Sequence, residues 1–164
     1  MRNRSVLFAL PALALLNPAA MQARDHAPAP PTLSASDKAH VLGDTFTVVK
    51  TVKQMPAAVQ KALGLPPKKP LYGMADAGKP FEIGDVVSDK LPPRRLVFAA
   101  VNAQYCLVYF DQGGMAYNQH IVLFRLHNGS PVRVWHATYF AKPSLTFAQL
   151  QEVIRQGKYR QSSY

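Results

Sequence analysis

A chain of 164 residues with 19 lysines and arginines against 9 acids carries +10 at neutral pH, and 48% of it is hydrophobic. The length fits one domain with a core of its own. The lone cysteine, Cys106, excludes an internal disulfide framework and a paired-cysteine metal site, and the basic residues are too scattered for a nucleic-acid module.

In chain order, Arg2 and Arg4 precede an apolar run from Val6 to Leu16, and small residues from Ala19 to Ala23 follow. This is the pattern of a secretory signal peptide, assigned to residues 1–23. The run is shorter than the ~20 residues that a membrane span requires. The expectation is an exported protein, periplasmic or secreted, with no transmembrane span. Removal of both arginines leaves a mature chain of about 140 residues and +8. In that compartment a basic surface suits an anionic envelope polymer or a partner protein, and no nucleic acid is expected.

Residues 24–43 read as a Pro/Ala-rich tether, from the stretch Ala27 to Pro31, with His26 and His40 as solvated tail residues. A single domain is assigned to 44–160. The β-branched stretch 45–52 predicts a strand. Pro56 suits a first helical position, Val59, Ala62 and Leu63 give a short stripe, and Gly64 ends the helix. Residues 65–80 are loop by composition, and 81–87 predict a short edge strand. Asp76, Glu82, Asp85 and Asp89 gather in this region at spacings that fit no calcium loop.

From Arg95 the pattern predicts a β-meander with strands over 95–101, 104–111, 116–126 and 131–140. Asn128-Gly129 is a type I′ hairpin signal, and Gln112-Gly113-Gly114 marks another turn. A closing helix is predicted from Thr146, with Gln149 completing a capping box and Gly157 as the stop. The fold class is therefore α+β: an antiparallel meander of about four to six strands packed by an N-terminal and a C-terminal helix.

The hairpin sets a register. Pairing His127 with Ser130 carries Leu123 to Val134 and Ile121 to His136, and sets Trp135 beside Val122. Alternation then puts His120 and His136 on opposite faces and His127 at the turn end, so no metal is expected, and with no phosphate-cradling Gly loop or haem motif no cofactor is expected. The same alternation gathers Tyr105, Tyr109, His120, Phe124, Trp135 and Tyr139 on one aromatic face, with Cys106, Val108 and Phe110 on the other. Both faces are apolar, so each needs a cover: a helix, a loop or a second chain, including a homodimer through a sheet face. Aromatics with polar tips favour interfaces, which makes the aromatic face the candidate ligand or partner surface. Cys106 reads as a packed hydrophobe.

The leading functional expectation is a small non-catalytic domain that binds an envelope component or partner protein. Alternatives are a small periplasmic hydrolase using His120 and neighbouring tyrosines, and a structural envelope protein.

Overall fold

The computed structural model describes residues 32–65, 73–84, 90–114 and 117–162. The signal-peptide assignment, residues 24–31 of the tether, and Asp85 and Asp89 lie outside them. The broad expectation of an α+β fold with an antiparallel sheet holds. The strands are β1 (Thr47–Val49), β2 (Met74–Ala75), β3 (Arg94–Val101), β4 (Tyr105–Gln112), β5 (Asn118–His127), β6 (Ser130–Tyr139) and β7 (Arg160–Gln161). The helices are α1 (Ala35–Gly43), α2 (Ala57–Ala62) and α3 (Phe147–Gln156).

β3 to β6 form the meander, in the sheet order β1-β3-β4-β5-β6-β7. The outer edge of β3 is shared. β1 pairs antiparallel at its Val101 end and β2 parallel at its Arg94 end. Two bonds stitch these short strands together: Ala77 N donates to Lys50 O at 3.0 Å and Val52 N to Asp76 Oδ1 at 2.7 Å. Asp76 thus serves a backbone donor, and residues 73–77 contain a strand where composition suggested only loop. Residues 81–84 are not a strand.

Local signals place several elements correctly. Asn128 and Gly129 have φ of 46° and 75°, as a type I′ turn demands. The Thr146 hydroxyl accepts from Gln149 N, and the Gln149 side chain accepts from Thr146 N, the reciprocal box that starts α3. Pro56 sits at the N-cap of α2, one position earlier than expected.

The packed domain begins earlier than residue 44. Ser34 caps α1 by accepting from Asp37 N at 3.0 Å, and Val41 of α1 is fully buried. Asp37, also buried, accepts from Tyr105 Oη at 2.9 Å and Arg125 at 2.7 Å, so α1 is clamped to β4 and β5. Burial opposes ionisation of Asp37. Hydrogen bonds from Ser34, Arg125 and Tyr105 outweigh it and hold the carboxyl below its usual range. The sequence had set His40 on a loose tail. It lies on α1, hydrogen-bonded to Asp44 at 3.0 Å and 5.1 Å from the Tyr105 ring.

Each sheet face has its own cluster. Phe98, Tyr109, Leu123 and Trp135 pack with Val41 of α1 and with Leu150 and Ile154 of α3. On the opposite face, Leu96, Val108, Phe110 and Phe124 pack with Met55 and with Val59 of α2. The chain's own helices thus contribute to the cover of both faces.

Gly113 marks a close approach. A Cβ there would sit 1.8 Å from the Glu82 carbonyl oxygen. The segment is held by Glu82 N donating to Pro92 O and Gly113 N to Pro93 O, both at 3.0 Å. Because the obstacle is backbone, Gly113→Ala is expected to lower stability by about 1–3 kcal/mol and to free residues 81–84. Denaturant midpoint and limited proteolysis at that segment read both effects. An unchanged midpoint and cleavage pattern would contradict the contact.

Candidate functional site

Two bulges decide which side chains meet. In β3 the pairing skips Val97, between Leu96↔Phe110 and Phe98↔Tyr109. In β6 it skips Val134, between Phe124↔Arg133 and Leu123↔Trp135. The hairpin register runs as expected from His127↔Ser130 to Arg125↔Val132. Beyond Val134 every partner moves by one, and every side chain changes face. The turn after β4 contributes a second change. Gln112 pairs with Asn118, which leaves five residues between the strands and sets Phe110 opposite His120.

The aromatic face expected from sequence therefore divides. Tyr105, Tyr109, Trp135 and Tyr139 belong to the α1/α3 side. His120 and Phe124 lie on the other side, with Phe110, Val108 and Cys106. Five of the six residues are buried, Tyr109 and Trp135 completely, and only Tyr139 is half-exposed. The expected separation of His120 from His136 is overturned for the same reason. His120 Nδ1 lies 2.9 Å from His136 Nε2, and the ring centroids are 5.2 Å apart at 9°.

Phe110 extends this stack at 5.1 Å from His120. Burial first, with Arg94 adding repulsion, lowers the His120 pKa to about 4. Burial, then His120 and Arg133, lowers that of His136 to about 4. Both rings are therefore neutral at physiological pH, one N–H donating to the other ring's nitrogen. Among the described residues no third His, Cys, Asp or Glu completes a metal-ligand set with them. Nearby Cys106 is fully buried, and burial pushes its thiol up to about 12, which makes it a packing residue.

The pair predicts an acid-linked loss of stability. Unfolded histidines, with a pKa near 6.5, bind protons that the folded rings refuse until about 4. Stability is complete above 6.5 and falls as pH drops through that window, by an amount on the order of 1–3 kcal/mol per ring. Denaturant titrations between pH 7.5 and 4 test this. His120→Phe combined with His136→Phe should flatten the profile, and an equally steep profile in the double variant would assign the effect elsewhere.

A second buried network crosses the end of the sheet. Asp111, fully buried, accepts from Arg95 Nε at 3.0 Å and Arg95 Nη2 at 2.7 Å. It also accepts from Tyr117 Oη at 2.7 Å and Gln119 Nε2 at 3.1 Å. The same Gln119 amide nitrogen donates to Ser144 Oγ at 3.0 Å. Its oxygen accepts from Tyr109 Oη at 2.7 Å and Ala141 N at 2.8 Å. The full hydrogen-bonding capacity of the amide is used. The network has no spare acceptor for chemistry, and its effect is to fix the chain around Ala141.

That chain segment borders a cleft of about 480 Å³, lined in part by Asn118, Tyr139, Phe140, Lys158, Tyr159 and Arg160. Gly157 ends α3 at φ 67°, and Lys158 N bonds back to Val153 O at 3.1 Å. This reversal brings β7 alongside β6 at Ala137↔Gln161 and Thr138↔Arg160. Lys158 and Arg160 are exposed, while Tyr159 is half-buried with its ring 4.9 Å from Trp135, edge to face. Phe140 is 60% exposed, and its ring is braced edge-on by Tyr117 at 5.7 Å.

No family model, curated protein or solved structure matches this chain.

The cleft combines two cations with three aromatic rings, and among the described residues its lining contains no carboxylate. Sequence reasoning found Tyr139 and missed the others. A signal was present: Lys158-Tyr159-Arg160 alternates cation, aromatic, cation, which in an extended segment turns Tyr159 inward and both charges outward.

Proposed function

We propose that this chain is an exported, non-catalytic binding domain, and that it holds an anionic component of the cell envelope in the cleft between β6 and the C-terminal end of α3. The carrying observation is the cleft's lining of Lys158, Arg160 and aromatic rings, with no acid among the described residues that form it. The charge of +8 on the mature chain adds long-range attraction for the same class of ligand. The signal-peptide pattern supports export. The sequence also offered acid–base catalysis by His120 with neighbouring tyrosines. That reading loses support, because His120 is enclosed and Tyr109 and Tyr139 belong to the opposite face. General acid–base work needs a group within reach of substrate.

The test is retention of the mature protein on an immobilised polyanion at fixed ionic strength. Lys158→Ala with Arg160→Ala should elute at clearly lower salt than Lys50→Ala with Lys79→Ala, which removes two exposed cations elsewhere. Equal losses in the two variants would mean that net charge, and not the cleft, holds the anion.

A further inference from the structure

We infer that the ligand of this cleft is an acidic glycan: sugar rings carrying carboxylate or phosphate groups. The inference rests on the proposed binding function and specifies its chemistry. Phe140 offers no hydrogen bond, yet it stands 60% exposed with its orientation fixed by Tyr117. Lys142 Nζ lies 5.7 Å from the Phe140 ring centre and 5.6 Å from that of Tyr117, so a third cation attends the aromatic wall. A held aromatic face with cations beside it matches a ligand that presents polarised C–H groups and anionic substituents together. The C–H face of a sugar ring is drawn to the negative ring face, and its acid groups to Lys158 and Arg160.

The cleft's size and edges narrow the class. A volume of about 480 Å³ suits a short saccharide and falls within the ~300–1,000 Å³ of small-ligand sites. An acidic peptide would gain most by adding a strand to the β6 edge. There, β7 already occupies the positions of Ala137 and Thr138. Thr138, near the end of β6, adds a hydroxyl that donates to Arg160 O at 3.5 Å and keeps acceptor capacity toward a sugar hydroxyl.

Calorimetric or fluorescence titration of the full mature chain tests the inference with five probes: an oligogalacturonate, a phosphorylated oligosaccharide, a neutral oligosaccharide, polyphosphate and oligoglutamate. An acidic saccharide should bind at least tenfold more tightly than the last three, and the better of the two identifies the acid group. Phe140→Ala should weaken acidic-saccharide binding at least fivefold and leave polyphosphate unchanged. Lys158→Ala with Arg160→Ala should weaken both. Oligoglutamate or polyphosphate binding as tightly as the saccharides would overturn the glycan assignment and leave the anion-binding function standing. Indifference of every probe to the Lys158/Arg160 double variant would remove both. These side chains are exposed, so unchanged thermal unfolding is the check that each variant is folded.

Discussion

Trp135→Ala is expected to destabilise the protein by about 3–5 kcal/mol, the range for truncating a large aromatic in a packed core. Trp135 is fully buried on the α1/α3 side of the sheet, in the cluster that contains Leu123, Leu150 and Ile154. Its indole nitrogen has no hydrogen-bond partner among the described residues. The side chain therefore contributes through packing, against a penalty of about 1–3 kcal/mol for the unsatisfied donor. Trp135→Phe deletes that donor and keeps most of the ring volume, so it should cost far less than alanine. Urea titrations followed by circular dichroism give both values. Because the Tyr159 ring rests on Trp135 and lines the cleft, the alanine variant should also bind polyanions more weakly where it remains folded. Similar costs for phenylalanine and alanine would show that the indole makes a polar contact outside the described residues.

Asp111→Ala should be comparably severe, about 3–5 kcal/mol, because it strands a half-buried arginine partner and two further donors. Arg95 is only 29% exposed and also lies 4.4 Å from the Phe81 ring centre, so its charge cannot turn freely to water. Tyr117 and the Gln119 amide lose an acceptor at the same time. Asp111→Asn keeps acceptor capacity but adds donors where donors already converge, and should fall between alanine and wild type. The discriminating variant is Arg95→Met with Asp111→Leu, which removes both charges. It should recover part of the loss, whereas additive losses would show that the aspartate acts through Tyr117 and Gln119 alone.

The extent to which these features could be read from the sequence follows the range of the interactions that fix them. Asn128-Gly129, the Thr146 capping box and the Gly157 stop were legible because each is settled within four residues. The bulges at Val97 and Val134 were not, since neither position carries the glycine or proline that announces irregular backbone. What selects them is demand from both faces at once: Trp135 has to meet α3 while His136 meets His120. The five-residue turn between Gln112 and Asn118 escaped for a related reason, because its glycines announce a turn without stating its length. The Asp111–Gln119 network joins residues from four segments and has no linear signature. Helix α1 was legible in principle. Ser34 with Asp37 three residues on, followed by Val41, is a capped amphipathic start, obscured by the prolines just before it.

The extra residue at Val134 makes β6 behave like a message with a reading frame. Up to Arg133 one parity of the chain faces α2, and after Val134 the other parity does. Substituting Val134 changes one letter. Deleting it would shift everything downstream, turning Trp135 away from α3 and His136 away from His120, while the cleft residues Tyr139 and Phe140 exchange their directions. A single insertion beside Val134 would shift the same residues. For this stretch the number of residues carries more information than their identities. A related chain could differ at many positions in β6 and keep the cleft, yet lose it through a single change of length.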